Sequence, residues 1–318
     1  MAETFFSVGG SVRAAVGIRR RSDGTVQSLD QAMPDGDTAG VQLDGTGAVR
    51  FLGVDTPEKN FEQPLGGERS LGGAMWKQFL ADPFAVVSAS KFEAPLVEHL
   101  KSRVGTGPAA QDAAANHHRH ALAASEALKN FVRSDIAELG QTPESFRYFV
   151  SFSYEVFDRY GRFLAFINRN QPQGQRPDSY NERMLRDGFT LPYFVWPNID
   201  PFRKFDSVAD AVLAPGTANK VAQTGDLKKA REFVKGARAA EKGVFKAADP
   251  LRFEAFEIRF LGRGEAPNRA VIDLGKNDNV VLRPQSYFKI PNPEDRLFIP
   301  AEFVPLFAAR GWRLEGFE

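Results

Sequence analysis

The sequence predicts an α+β fold that is rich in β-strands, on three observations. Short runs of alternating apolar and polar residues, bounded by Gly, Asp and Asn, dominate the first third of the 318 residues. A run with the helical period follows in the middle of the chain, and strand-like runs return towards its end. Because hydrophobic residues make up 42% and charged residues 25%, the chain has enough apolar material for a core, which excludes disorder of the whole chain.

The first third predicts a β-meander. Its strand patterns cover residues 24–29, 40–43 and 48–54. The turns between these strands are supplied by Asp35-Gly36-Asp37-Thr38 and Asp44-Gly45-Thr46-Gly47, which consist of residues that favour tight turns.

The rest of the chain alternates between helical and extended patterns. Helices are predicted over residues 73–80, 94–104, 120–139, 179–187, 227–242 and 301–310. Strands are predicted over residues 146–157, 163–167, 253–261, 270–274 and 280–282. Gly188 ends the fourth helix, and the glycines of residues 105–110 predict a flexible join before the third.

Composition narrows the classes of protein to which the chain can belong. Cysteine is absent, which excludes disulfides, thiolate metal sites and a cysteine nucleophile. No run approaches the length of about 18 apolar residues that a membrane span requires, and the first residues lack the layout of a signal peptide. We therefore expect a cytoplasmic protein with no membrane partner. With a net charge of +1, a polyanionic partner has to be bound by a local patch of charge.

Three polar segments are candidates for chemistry. The turn with Asp35 and Asp37 suits a hard cation such as calcium, and its alternative is an ordinary hairpin turn. In residues 50–58, a strand carries Arg50 at one end, and Asp55 and Glu58 follow just beyond its other end. The alternative is a helix start at Pro57-Glu58. Residues 158–166 place Arg162 at the root of a strand, and the alternative is a solvated turn arginine.

A run of histidines also suggests a metal site. His117-His118-Arg119-His120 offers two histidines three residues apart, as on one face of a zinc-binding helix. Because no third ligand with a defined spacing follows, the sequence favours a solvated helix start beside a flexible linker.

Taken in order, the three polar segments resemble the thermonuclease (staphylococcal nuclease-like) family. Residues 181–188 and 237–246 also resemble segments of that family, so the resemblance spans about residues 24–250. It implies a five-stranded OB-type β-barrel with packed helices and calcium-dependent hydrolysis of phosphodiester bonds in DNA or RNA. The chain then divides into an N-terminal extension (1–23), the nuclease-like domain (24–250) with an inserted helical segment (59–116), and a β-rich C-terminal extension (251–318).

The resemblance also implies a role for individual residues. Asp37 and Asp55 hold the metal through their carboxylates, and Thr56 holds it through its backbone carbonyl. Asp35 lies next to these ligands and does not itself bind the metal. The roles at the scissile phosphate and at the nucleotide fall to these residues: Arg50 and Arg162 as the phosphate clamp, Glu58 as the base that acts on water, and Tyr160, Tyr193 and Trp196 as nucleotide contacts. Calcium is the expected ion because all ligands are oxygens, and another divalent cation is the alternative.

Two other functions remain open from the sequence. An OB-type barrel without catalysis binds single-stranded nucleic acid or a protein, as domains of this kind do once their catalytic residues are lost. A phosphodiesterase for a small nucleotide is the second alternative, with the inserted segment excluding polymers. The presence of Arg50, Asp55, Glu58 and Arg162 in one chain favours catalysis.

Overall fold

The computed structural model describes residues 5–8, 11–14, 17–21, 23–33, 41–42, 48–67, 69–199 and 205–317. The chain divides into two compact units. The first unit comprises Met1–Phe51 and Glu155–Ala165, and the second comprises Leu52–Tyr154 and Phe166–Glu318. The predicted turns at 35–38 and 44–47, with Asp35 and Asp37, lie outside the described residues.

The described residues of the first unit form short strands and one short helix. Its elements are β1 (Phe5–Val8), β2 (Ser11–Ala14), β3 (Gly17–Ile18), α1 (Leu29–Ala32), β4 (Val41–Gln42) and β5 (Val49–Phe51). β1 pairs with β2 and β3 pairs with β4, both antiparallel. The strand predicted over 24–29 is wrong, because Val26 forms only an isolated bridge with Arg20 and α1 begins at Leu29.

The second unit contains most of the helices and the largest sheet. Its elements are β6 (Gly53–Asp55), α2 (Ala74–Ala81), α3 (Ala94–Val104), α4 (Pro108–Glu138), β7 (Tyr148–Phe157), β8 (Phe163–Arg169), α5 (Tyr180–Arg186), β9 (Leu191–Val195), α6 (Ala218–Ala222), α7 (Gly225–Ala239), α8 (Ala255–Arg263), β10 (Ala270–Asp273), β11 (Val280–Leu282), β12 (Arg296–Ile299), α9 (Val304–Ala309) and β13 (Arg313–Glu315). β7 and β8 each continue into the residues of the first unit. The fold is therefore a mixed α+β fold, and its described helices contain more residues than its described strands.

A six-stranded mixed sheet forms the centre of the second unit, in the order β13-β11-β10-β12-β9-β6. Alternate residues of its strands face two separate apolar clusters, as the pleat of a sheet requires. Val271 and Phe298 pack with α2, α3 and α8, whereas Ile272 and Leu297 pack with α6 and α9. Among the described residues, no helix is both long and apolar enough to cross a membrane.

The central sheet combines strands from distant parts of the chain. β12 pairs with β10 on one side and with β9 on the other, in the register Leu297↔Phe194. All four residues of β12 are buried. The domain boundary predicted at residue 250 lies inside the second compact unit, because that unit includes Phe166–Glu318.

The strand predicted over residues 253–261 is wrong, because this segment forms helix α8. Its apolar residues alternate, which is the pattern of a strand, but both ends carry helix signals. The side chain of Glu254 accepts from the third helical residue, and the Glu257 carboxylate accepts from the backbone N–H of Glu254. Gly264 ends the helix in the left-handed region at φ 63°.

Helix α4 is longer than predicted, because it begins at Pro108 and not near residue 120. Proline is favoured as the first residue of a helix, and the alanines that follow it have the highest helix propensity. The join predicted over 105–110 is therefore shorter, and the residues of the histidine run lie inside the helix and not at its start.

Candidate functional site

The strand β6 brings Asp55 into the interior of the second unit. β6 pairs antiparallel with β9, and Asp55 lies opposite Leu191 at the end of the ladder. Only 3% of Asp55 is exposed to solvent, whereas Thr56 and Glu58 are half-buried. A buried carboxylate requires a partner of opposite charge or several hydrogen bonds, so the surroundings of Asp55 determine what this site can do.

The partner of Asp55 is Arg259, which lies on α8. Its Nη1 donates to Asp55 Oδ1 at 2.9 Å and its Nη2 donates to Asp55 Oδ2 at 2.7 Å, a bidentate ion pair. The same Nη1 donates to Glu58 Oε1 at 2.8 Å. One guanidinium therefore joins the predicted metal ligand Asp55 to the predicted base Glu58.

Burial and charge act in opposite directions on Arg259. Burial alone would lower the pKa of its guanidinium, but the carboxylates of Asp55 and Glu58 more than compensate, and the pKa lies above its ordinary value. The side chain is 17% exposed, so the ion pair is largely shielded from solvent. Arg259 is thus a permanent cation placed between two acidic groups.

His117 on α4 fixes the backbone next to this ion pair. The backbone N–H of Glu58 donates to His117 Nε2 at 2.8 Å, so the proton of the neutral ring is on Nδ1, which donates to the carbonyl of Phe253 at 3.1 Å. The ring is fully buried, which corrects the prediction of a solvated helix start. His117 therefore links the segment after β6 to the residues just before α8.

Stability is expected to depend on pH through His117. Burial disfavours the charged imidazole and lowers the pKa of His117 from 6.5 to about 3. As the pH falls below 6.5, the unfolded chain takes up a proton that the folded chain refuses, so this residue costs about 1.4 kcal/mol of stability per pH unit until the folded pKa is reached. The variant His117→Gln keeps a donor and an acceptor and does not titrate.

Unfolding by denaturant at a series of pH values measures this contribution as the difference between wild type and His117→Gln. The stability of the wild type is expected to fall more steeply between pH 6.5 and about 4. Parallel pH profiles for the two proteins would contradict a neutral, buried His117.

Arg50 and Arg162 belong to the first unit. Arg50 lies in β5, and Arg162 is the turn residue that directly precedes β8. β5 and β8 pair in parallel with Arg50 opposite Leu164, and the N–H of Phe163 donates to the carbonyl of Ala48 at 2.9 Å. Arg162 therefore lies two register positions before the partner of Arg50. Side chains alternate along a strand, and continuing the alternation of β8 back by one residue to Arg162 assigns both arginines to the same side of this strand pair.

The turn of residues 158–162 places an aromatic ring between two cations. The Tyr160 ring is 54% exposed, with the guanidinium carbons of Arg159 and Arg162 at 4.9 Å and 5.3 Å from its centre. Arg162 Nε also donates to Asp158 Oδ2 at 2.7 Å, which fixes the guanidinium at the turn. An exposed aromatic ring beside two arginines is suited to a nucleotide, because the ring stacks on a base and the cations attract phosphate.

The remaining predicted contacts, Tyr193 and Trp196, lie in or next to the central sheet of the second unit. Tyr193 is half-buried against Phe298, with ring centres 4.7 Å apart, and its hydroxyl accepts from Arg269 Nη1 at 2.9 Å. Trp196 is fully buried and its Nε1 donates to the carbonyl of Ala211 at 3.0 Å. The structure thus places Trp196 in the apolar core, where it offers no surface to a nucleotide.

The chemistry of this arrangement suits a cation, but the cation present is Arg259. Asp55 Oδ1 and Glu58 Oε1 both accept hydrogen bonds from Nη1 of its guanidinium. A calcium ion at the same position would lie against a positive charge and would lose these oxygens, so calcium does not fit while Arg259 stays in place. Among the described residues, no group of three or more His, Asp or Glu is arranged to hold a metal ion.

The structure therefore joins Asp55 and Glu58 through Arg259 in the second unit, whereas Arg50 and Arg162 lie in the first unit, on and directly before two paired strands. Sequence reasoning missed Arg259 and the role of His117. One signal for Arg259 was present, an arginine between Ile258 and Phe260 in an apolar run, because a cation among buried residues needs an acidic partner. Comparisons with protein-family models, with curated proteins and with solved structures found no match for this chain.

Proposed function

We propose that this chain binds nucleic acid and hydrolyses its phosphodiester bonds, as its resemblance to the thermonuclease family implies. The observation that carries the proposal is the register of β5 and β8, which assigns Arg50 and Arg162 to one side of the strand pair. Tyr160, exposed in the turn before Arg162, adds a ring on which a base can stack. The five-stranded OB-type barrel belongs to this proposal, and so does calcium, whose binding to the Asp55 carboxylate requires that Arg259 release it.

The chemistry of the reaction explains why two arginines are suited to it. A phosphodiester carries one negative charge and gains more in its five-coordinate transition state. One guanidinium can donate to two phosphate oxygens at once, and it keeps its positive charge at all physiological pH values. In this proposal Arg50 and Arg162 stabilise the developing charge, and Glu58 takes the proton of the attacking water.

Loss of the phosphate clamp is the direct test. In the variant Arg162→Ala, the rate of cleavage of labelled single-stranded or duplex DNA and RNA is expected to fall by a factor of about 10²–10³. This is the usual effect of removing one preorganised hydrogen-bond donor to the transition state. The assay compares calcium, magnesium and a chelator. Arg133→Ala is the matched control, since Arg133 is an exposed arginine of α4 that pairs with Glu126 at 2.7 Å. A wild-type rate in Arg162→Ala would remove the basis of the proposal.

Binding without hydrolysis is the second candidate, and the ion pair at Arg259 favours it. That guanidinium neutralises the two carboxylates on which catalysis is proposed to depend. If the wild type binds single-stranded nucleic acid with an affinity that Arg162→Ala weakens, while no polymer is cleaved with any metal, the chain is a binding module. Cleavage of dinucleotides alone would instead identify a phosphodiesterase for small nucleotides.

A further inference from the structure

The second unit contains a cavity of about 210 Å³ that none of the proposed catalytic or metal-binding residues lines. Its wall is formed by residues of β7, β8, α5 and α7 and by the end of β9. The lining is mainly apolar and includes these side chains: Phe149, Phe166, Phe194, Leu185 and Leu227. Small-molecule sites are typically concave and apolar, with a few polar groups that fix the orientation of the ligand.

Arg176 is the cation of this lining that is left for an anionic ligand. Its guanidinium carbon lies 3.4 Å from the centre of the Phe149 ring, and its Nε donates to the carbonyl of Gln171 at 2.6 Å. The ion pairs among the described residues include none with Arg176. The second cation of the lining, Lys229, is in contrast paired with Asp178 and Glu182, each at 2.8 Å.

Two amide side chains of the lining, Asn181 and Asn168, already make their hydrogen bonds within the protein. Asn181 donates to the carbonyl of Leu52 at 2.8 Å and accepts from the N–H of Ile167 at 3.0 Å. Asn168 likewise donates to the carbonyl of Pro177 at 2.8 Å and accepts from the N–H of Arg169 at 2.8 Å. These amides therefore offer little to a ligand with many polar groups.

The charges of the lining also limit how many anionic groups a ligand can carry. Glu182 and Asp226 line the cavity as well. Their negative charge disfavours a second anionic group away from Arg176. A flat ring suits the phenylalanines, because aromatic rings pack face to edge or offset against one another.

We infer that this cavity binds a small molecule built from one aromatic or heteroaromatic ring and one anionic group. The ring lies among the phenylalanines, and the anion is held by the free edge of the Arg176 guanidinium. This binding site goes beyond the proposed hydrolysis of nucleic acids and does not depend on it. The anionic group is a phosphate ester or a carboxylate, both of which an arginine binds in the same way.

Calorimetric titration of the full chain tests the site with simple probes. Phenyl phosphate and benzoate carry both parts of the ligand, whereas phenol has the ring alone and inorganic phosphate the anion alone. At least one of the two complete probes is expected to bind, and about tenfold or more tighter than phenol and inorganic phosphate. The stronger of the two complete probes identifies the anionic group.

Two variants assign that binding to the cavity. Arg176→Gln is expected to weaken the complete probe about tenfold or more, while the matched control Arg147→Gln, an exposed arginine outside the lining, leaves it unchanged. Ala230→Leu adds volume to the lining and is expected to abolish binding in a protein that still unfolds cooperatively. The inference is overturned if neither complete probe binds, or if either Arg176→Gln or Ala230→Leu binds the complete probe as tightly as the wild type does.

Discussion

Replacing Arg259 with methionine is expected to lower the free energy of unfolding by about 3–5 kcal/mol, the usual cost of removing one partner from a buried ion pair. Methionine fills much of the space of the arginine stem, so the loss reports on charge more than on packing. Asp55, 3% exposed, would keep a buried carboxylate without its two bonds to the guanidinium. Denaturant unfolding at neutral pH, followed by tryptophan fluorescence, measures the change.

Two further proteins and one ligand give this prediction its controls. Arg133→Met removes an exposed arginine of α4 and is expected to cost at most about 1 kcal/mol. Adding Asp55→Asn to Arg259→Met is expected to recover part of the loss, because the buried side chain that has lost Arg259 then carries no charge. Calcium should raise the denaturant concentration at the midpoint of unfolding for Arg259→Met and not for the wild type. Without the guanidinium, the carboxylates are accessible to the ion. A cost as small as that of Arg133→Met would mean that Asp55 finds another partner.

Local signals were sufficient to predict elements whose ends are set by neighbouring residues. Helix α5 begins after Ser179, whose hydroxyl and the Glu182 carboxylate cap the first turn, and it ends before Gly188 at φ +71°. The short strand β11 has the predicted bounds, 280–282. In α5 the residues that cap and end the helix lie within the segment or directly beside it, whereas β11 also depends on its pairing with β10 and β13.

Contacts between distant residues decided the rest, and a sequence pattern does not contain them. Arg259 binds Asp55, which lies 204 residues earlier in the sequence. The segment with Asp55 and Glu58, taken by itself, therefore suggested a metal site and not an ion pair. Trp196 was expected to contact a nucleotide, but its side chain packs edge-on against Phe303 and Phe307. The candidate residues themselves were found from their motifs, whereas their partners were not.

Replacing Glu58 with glutamine is expected to lower hydrolysis by about 10²–10⁴, the range that a positioned general base contributes. The change keeps an acceptor oxygen for Arg259 and the backbone N–H that donates to His117, so the fold is expected to persist. Because Arg259 keeps its bidentate ion pair with Asp55 in this variant, its charge stays compensated and the loss of stability should be small. Cleavage of labelled single-stranded DNA measures the rate, and fluorescence anisotropy measures the affinity.

The separation between rate and affinity is what identifies Glu58 as a base. A base acts on water in the transition state, so Glu58→Gln should bind nucleic acid as the wild type does while it cleaves far more slowly. Glu62→Gln is the matched control, an exposed glutamate four residues along the same segment. Equal rates for the wild type and both variants would exclude Glu58 as the base. Equal losses of affinity and rate in Glu58→Gln would instead show that Glu58 acts through the ion pair with Arg259 and shapes the binding surface.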